Sequence, residues 1–256
     1  MCMFNKMLSS IGIGSAKVDA QLDNTQCIAG ETVKGVVKIV GGKTEQQIDQ
    51  IYLSVNTKYI KERDDKKYNV DVIIDKFKIT DSLVVKPEEQ LEFPFSFVLP
   101  EDTPLTVGRT KVWLSTGLEI KNAIDPGDKD SIEVKPSPEV AAVLEAVYTL
   151  GFSLREVETK EAPRRFRGRL PFIQEFEYVP RSGPYKGVLD EIELLFTPTG
   201  NGQVEVIMQI DKRARGLSGL FAEALDRDES FVRFEVSKTN AHGIQETIRN
   251  IIDQYS

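Results

Sequence analysis

Apolar and polar residues alternate along most of the first 135 residues. The first run places Val18, Ala20 and Leu22 between charged or amide residues, which is the period of a β-strand with one solvent-facing side. Turn residues separate this run from the next ones, and about seven strands are predicted in all. They lie near 18–22, 33–39, 48–60, 73–79, 83–85, 91–99 and 112–120. Short strands with hardly any helical period between them are typical of an antiparallel β-sandwich.

The run 91–99 carries an unusual proline. Apolar side chains occupy its alternate positions, three of them phenylalanines, yet Pro94 interrupts the run. Because proline has no backbone N–H, we expect this strand at a sheet edge or a bulge, with the phenylalanines turned into the core. Such a proline would also protect the edge from pairing with other chains.

Prolines and a glycine cluster between 123 and 139, and we place a domain boundary there. The chain is expected to fold as an N-terminal β-sandwich at 1–135, which begins with a short helix at 3–11, and a β-rich domain at 136–256. Ser137 and Pro138 form an N-cap pair, and apolar spacing predicts a helix at 138–150. Further helices are predicted near 217–226 and 241–254, the last with Asn240 as N-cap.

Composition excludes several classes of protein. The 256 residues are 40% hydrophobic and 29% charged, with net charge −7, as in soluble globular proteins. Up to Lys135 there are 18 basic and 21 acidic residues, and beyond it 15 and 19, so both parts are mildly acidic and nucleic acid is not an expected partner. The two cysteines and one histidine are too few for a disulfide framework or a zinc site. With neither a signal peptide nor a membrane span in view, we expect a cytoplasmic protein without cofactors.

Candidate chemistry is sparse. A Ser–His–acid set would have to use His242, and no nucleophile elbow or phosphate loop occurs. A hydrolase based on carboxylates such as Glu191, Glu193 and Glu205 is an open alternative, although alternating acids are also the ordinary solvent face of a strand. Carboxylate oxygens also suit calcium, and the acidic run offers Asp125, Asp128 and Asp130. Its spacing does not match an EF-hand, and Pro126-Gly127 explains it as a turn.

Two segments could bind a partner protein. Four arginines fall within six residues, and their planar guanidinium groups suit carboxylates or phosphates. The alternative is pairing with acids of the same chain. The cluster consists of Arg164, Arg165, Arg167 and Arg169, and the candidate acids are Glu175, Glu177, Asp190 and Glu191.

The second segment is the N-terminal stripe that includes Met3, Phe4 and Met7. Flexible methionines on one helical face suit adaptable docking. The open choices are packing on the chain's own sandwich, a second subunit in a homodimer, or membrane contact. Membrane contact is the least expected, because one lysine attracts anionic lipid weakly.

Several long stretches resemble one bacterial family. They read GGKTEQQIDQIYLSV, FPFSFVLPEDTPLT, TKVWLSTGLEIKNAIDPGDKD, RGRLPFIQEFEYVP and QIDKRARGLSGLFAEALDRDES. Together they resemble the sporulation-control proteins with an arrestin-like fold, of the stage 0 sporulation-control protein M type, over nearly the whole chain.

The resemblance implies two arrestin-like β-sandwich domains in tandem, a mainly β fold in which the second domain carries added short α-helices. It also implies a non-enzymatic cytoplasmic regulator of sporulation that acts as a protein-interaction scaffold, and it attaches no catalytic or ligand residue to the family. A membrane-associated or trafficking adaptor is the alternative, because a shared fold does not determine function.

Overall fold

The computed structural model of the chain describes residues 16–120, 127–200, 202–212 and 229–255. Strands account for 60% of the described residues and helices for 14%, so the prediction of a mainly β fold with added helices is confirmed. The predicted helices at 3–11 and 217–226 lie outside the described residues.

The chain forms two compact units, and neither is continuous in sequence. Unit 1 contains the described residues of Met1–Lys58, Asp71–Thr106 and Lys111–Lys135, and unit 2 those of Tyr59–Val70, Val107–Thr110 and Pro136–Ser256. A division at 135 therefore omits two segments of the first 135 residues that cluster with the second unit.

Nine strands lie among the described residues that precede 136. They are β1 (Lys17–Leu22), β2 (Gln26–Ile28), β3 (Thr32–Val40), β4 (Gln46–Arg63), β5 (Lys66–Thr80), β6 (Leu83–Val85), β7 (Gln90–Val98), β8 (Val112–Ile120) and β9 (Asp128–Lys135). In unit 1 they build a three-stranded sheet in the order β1-β3-β7 and a larger sheet in the order β4-β8-β9-β2, with β5 and β6 also paired to β4. Val37, Ile51, Leu53 and Leu114, which come from both sheets, are fully buried.

Strand β7 contains Pro94. Among the described strands it pairs only with β3, where Pro94 lies opposite Val36, so the predicted edge position is confirmed. Phe95 and Phe97 are buried, and the ring of Phe97 stacks at 4.2 Å on Phe77 of β5. The proline thus costs no interior hydrogen bond while its neighbours contribute to the core.

Strands β4 and β5 form one long hairpin. Its two turn residues, Asp64 and Asp65, have φ angles of 51° and 57°, the left-handed pair that suits a tight hairpin turn. The far end of the hairpin, Tyr59–Val70, belongs to unit 2, where Ile60 pairs in parallel with Lys160.

Unit 2 also contains a five-stranded antiparallel meander with two helices. Its elements are α1 (Pro138–Thr149), β10 (Phe152–Glu161), a 3-10 turn (Arg164–Phe166), β11 (Phe172–Pro180), β12 (Leu189–Gly200), β13 (Gln203–Lys212), β14 (Glu229–Ser237), a second 3-10 turn (Ala241–Gly243) and α2 (Ile244–Tyr255). The strand order is β10-β11-β12-β13-β14. Both helices contact the sheet and each other.

The two helices begin differently. The Ser137 hydroxyl accepts a hydrogen bond from the Val140 amide at 3.3 Å, so Ser137 caps α1 as the sequence predicts. Asn240 does not cap α2, and that prediction is wrong. Its side chain instead accepts a hydrogen bond from the Ser237 amide at 2.8 Å and donates to the Glu235 carbonyl at 3.0 Å.

Candidate functional site

The predicted arginine cluster lies on a loop between β10 and β11, which we call the arginine loop (residues 163–169). Buried Ala162 and Leu170 flank it, and the Ala162 amide donates to the Pro171 carbonyl at 2.9 Å, which closes the loop at its base. All four arginines are exposed. The loop therefore presents its guanidinium groups to solvent from a fixed base.

Arg165 rests on two aromatic rings. Its guanidinium carbon lies 4.8 Å from the ring centre of Phe166 and 4.5 Å from that of Phe231, and the two rings lie 5.9 Å apart. Phe231 is 37% exposed and comes from β14, far away in sequence. Stacking on ring faces favours the cation and holds the planar group in place.

The other arginines differ in their surroundings. Among the described residues no carboxylate lies within ion-pair distance of Arg164 or Arg167, whereas Arg169 does have an interaction. A hydrogen bond with Glu161 raises the pKa of Lys61, and the positive charge of Arg167 opposes that rise. The loop is therefore a region of positive charge that the nearby acids only partly balance.

Three of the four acids proposed as partners for the arginines are engaged elsewhere. Glu177 and Glu191 both bind Arg155, the latter at 2.5 Å, and Glu175 binds Lys160. These carboxylates lie on one face of the β10-β11-β12 sheet. These three carboxylates therefore pair with Arg155 and Lys160, and their ion pairs do not include the arginine loop.

The carboxylates proposed for a hydrolase have different environments. Glu191 is held by Arg155, and Glu205 pairs with Arg233 at 3.1 Å. Burial, followed by the charge of Glu175, raises the pKa of Glu193 to about 7. A glycosidase needs two carboxyl groups that flank a bound substrate, whereas Glu191 and Glu205 are each held by an arginine of the same sheet.

Two of the three aspartates considered for calcium are described, while Asp125 lies outside the described residues. Asp128 accepts a hydrogen bond from the Ala20 amide at 3.3 Å. Burial, then the neighbouring Asp128 and Asp19, raises the pKa of Asp130 to about 6. Within the described ranges, no group of three or more His, Cys, Asp or Glu side chains is arranged to hold a metal ion.

The N-terminal stripe and His242 are the remaining predicted site residues. Met3, Phe4 and Met7 lie outside the described residues. His242 is exposed on the 3-10 turn before α2. In the part of the chain that the structure describes, every helix is too short or too polar to cross a membrane.

The sequence did not reveal a cavity of about 580 Å³ in unit 1, on the side of the β4-β8-β9 sheet that faces away from the β1-β3-β7 sheet. We call it the polar cavity. It is lined by Tyr52, Ser54, Asn56, Ile73, Lys76, Ser115, Thr116, Gly117, Gly127, Asp128 and Lys129. Its polar positions were visible as the solvent face of a strand, but the strand pairing that brings them together was not.

Comparison with known proteins gives one consistent answer. Residues 4–214 match the family model described as SpoOM protein. The chain is 42% identical to the sporulation-control protein spo0M of Bacillus subtilis (strain 168) over 259 aligned residues, which cover all of both chains.

A solved structure agrees with the sequence comparison. The crystal structure of Spo0M, sporulation control protein, from Bacillus subtilis superposes with a TM-score of 0.85 at 41% identity, over 95% of this chain and 100% of that one. The family model matches most of the chain, and a curated member is similar over its full length. This chain therefore belongs to the SpoOM protein family.

Proposed function

We propose that this chain is a non-enzymatic cytoplasmic regulator of sporulation that acts as an arrestin-like scaffold for protein contacts. Its full-length similarity to a sporulation-control protein supports a role in the control of sporulation. The observation that carries the mechanism is the placement of Arg165 on Phe166 and Phe231 in an exposed loop.

Arginine and aromatic residues dominate the energetics of protein interfaces. They are enriched at positions where truncation costs most of the binding free energy, because each contributes a large contact area and a directional polar group. Stacking restricts the guanidinium of Arg165 before a partner arrives, so less conformational entropy is lost on binding. The arginine loop therefore has the composition and the rigidity of an interface centre.

The charge of the loop indicates the kind of partner. The chain as a whole carries −7, yet Arg164 and Arg167 have no ion-pair partner among the described carboxylates. Guanidinium groups bind carboxylates through two parallel hydrogen bonds. The partner proposed for this loop is a protein surface rich in Asp and Glu, and attraction between opposite charges would speed its association.

The proposal can be tested in a Bacillus subtilis strain that lacks its own sporulation-control protein. The strain would express this chain, its Arg165→Ala/Arg167→Ala variant, or a control with Arg63→Gln, whose side chain is 81% exposed on the β4–β5 hairpin. Spore counts and crosslinking with mass spectrometry would be measured for each. We expect the wild type and the control to restore spore counts and to crosslink the same partner through the arginine loop, and the double variant to lose both.

Full complementation and unchanged crosslinks in the double variant would contradict the role of the loop. Crosslinks that recover only lipid-embedded proteins, together with binding to vesicles, would favour a membrane adaptor instead. A thermal unfolding curve of each purified variant separates loss of contact from loss of folding.

A further inference from the structure

We infer that the polar cavity of unit 1 is a binding site for a carboxylate that carries a hydrogen-bond donor beside it. The inference rests on side chains that share one face of three paired strands, and it is independent of the arginine loop.

Cross-strand pairing builds the floor of the cavity. Ser54 of β4 lies opposite Ser115 of β8, and Ser115 in turn lies opposite Lys129 of β9. In the next row, Asn56 lies opposite Trp113. Directly opposed residues of antiparallel strands project from the same face with their β-carbons about 5 Å apart, so these five side chains form one continuous surface.

Two of these polar side chains are buried although they lie on the outer face of a sheet. Ser54 is 3% exposed and Asn56 is 7% exposed, whereas polar residues on such a face normally remain in contact with water. Burying a polar group is unfavourable unless it has hydrogen-bond partners. The arrangement of their hydrogen bonds therefore shows which polar atoms are engaged and which are left over.

The amide nitrogen of Asn56 is fully engaged. It lies 2.8 Å from the Ser54 carbonyl oxygen, 3.0 Å from Ser54 Oγ, 3.3 Å from Ser115 Oγ and 3.4 Å from the Trp113 carbonyl oxygen. These contacts fix the orientation of the side-chain amide. Its oxygen, Oδ1, accepts no hydrogen bond from the described residues, so the cavity has an oriented acceptor available for a ligand donor.

Ser115 supplies a donor next to this acceptor. Its Oγ accepts hydrogen bonds from the Asn56 amide at 3.3 Å and from the indole Nε1 of Trp113 at 3.1 Å. A hydroxyl that accepts two bonds still has one hydrogen to donate, and the Ser115 hydroxyl donates to no other described residue. That hydrogen is therefore available to an acceptor atom of a ligand.

Lys129 supplies the positive charge. Its Nζ lies 5.6 Å from the centre of the Trp113 ring, and among the described residues no carboxylate lies within 4 Å of it. Two other lysines of this face have partners, since Lys58 pairs with Asp71 at 3.4 Å and Lys76 with Glu119 at 2.9 Å. Lys129 is thus the ammonium group that a ligand could bind without first separating an ion pair.

These three groups define the ligand. An ammonium and a hydroxyl donor on directly opposed residues suit the two oxygens of a carboxylate, and the Asn56 oxygen suits an O–H or N–H close to that carboxylate. Free hydroxy acids have this chemistry, and so does the C-terminal residue of a polypeptide, through its own amide N–H. A dianionic phosphate would match the two donors but would meet the Asn56 oxygen without a donor to offer.

The chain contains its own reporter for this site. Trp113 is the single tryptophan, and both its indole N–H and its ring face contact groups proposed to bind the ligand. Full-length protein would be titrated with L-malate and with an acetylated tripeptide that has a free C-terminal carboxylate, while tryptophan fluorescence and the indole ¹H–¹⁵N signal are recorded. Succinate lacks the hydroxyl of malate, and the C-terminally amidated tripeptide lacks the charge, so these two serve as comparison ligands.

We expect saturable binding of one probe with a Kd below about 1 mM and binding of its comparison ligand weaker by about 10-fold. Lys129→Gln should abolish the response, whereas Lys34→Gln, the same charge change on an exposed position of β3, should leave it intact. Binding of malate would identify small hydroxy acids as the source, and binding of the tripeptide would identify a polypeptide terminus. A response that survives in Lys129→Gln, equal binding of the comparison ligands, or no saturable response to either probe would overturn the inference.

Discussion

The ring of Tyr52 lies over the backbone of Gly117, its direct partner on the neighbouring strand. A β-carbon at position 117 would overlap three atoms of the Tyr52 side chain, which are two ring carbons and the hydroxyl oxygen. The ammonium of Lys76 lies 3.5 Å from the centre of the same ring. Gly117 is therefore required here by the close approach of a side chain, and its φ angle is not in the left-handed region.

The substitution Gly117→Ala should consequently destabilise the protein. The added methyl group forces Tyr52 out of its place, and overpacking of this kind costs about 1–3 kcal/mol. Urea unfolding monitored by circular dichroism would measure the loss. In a Tyr52→Ala background the obstacle is gone, so the same glycine substitution should cost much less there. An equal loss in both backgrounds would show that the ring is not the cause.

Much of the fold could be predicted because local chemistry determines it. Period-two alternation identified most strands of unit 1, since a residue's place in a strand decides which face it occupies, but the three-residue β2 was too short to show the pattern. Pro94 indicated an edge strand because a missing N–H is tolerated there. Ser137 with Pro138 indicated the start of α1, where a hydroxyl acceptor and a fixed φ are both favourable.

The candidate sites could not be predicted in the same way, because they depend on pairing between distant segments. Arg165 was visible in the sequence, but Phe231, which helps to hold it, lies on a strand 66 positions later. The cavity depends on the register that sets Ser115 opposite both Ser54 and Lys129. Register is determined by which faces are buried across a whole sheet, so a short sequence motif does not predict it.

The substitution Asp130→Asn should make unit 1 less sensitive to pH. Burial and the nearby Asp128 raise the pKa of Asp130 from 3.8 to about 6, so the folded state binds a proton more tightly than the unfolded state. Stability that depends on this proton is present below pH 3.8 and is lost as the pH rises to about 6.

The asparagine variant has no such group to ionise. Its free energy of unfolding should exceed that of the wild type above pH 6, by about 1 kcal/mol once partial exposure is taken into account, and the advantage should vanish near pH 3. Urea unfolding at a series of pH values would measure it. If the wild type instead became more stable relative to the variant as the pH rose from 4 to 6, the raised pKa would be contradicted.

Arg155 should be important for the stability of unit 2. It binds both Glu177 and Glu191, whose side chains are only 16% and 21% exposed. Removing the cation leaves two carboxylates close together and poorly hydrated, which is the costly way to break a buried ion pair. Arg155→Gln should lower the free energy of unfolding by about 2 kcal/mol.

A matched control for Arg155 is available in the same unit. Arg63→Gln removes a pair with Asp64 whose atoms are 3.8 Å apart and whose side chains are 81% and 89% exposed. Solvent screens such a pair, so no measurable change is expected. Similar unfolding midpoints for the two variants would show that the Arg155 contacts contribute no more than an exposed ion pair.

Glu193 of β12 is a buried acid with other carboxylates nearby. Burial is the main cause that raises its pKa from 4.5 to about 7, the charges of Glu175, Asp211 and Glu191 act in the same direction, and Lys160 acts against them. The folded state again holds the proton more tightly than the unfolded state. The contribution of this proton to the free energy of unfolding is therefore complete below pH 4.5 and is lost as the pH rises to about 7.

Glu193→Gln keeps the shape of the side chain and removes its ionisation. The variant should unfold at higher urea concentration than the wild type at pH 8, by an amount corresponding to about 1–2 kcal/mol after allowance for solvent screening, and at the same concentration at pH 4. A catalytic acid would behave differently, because its loss would remove an activity while a structural acid changes only stability. A stability difference that grows toward low pH would contradict the raised pKa, since protonation should make the wild-type side chain as neutral as the glutamine.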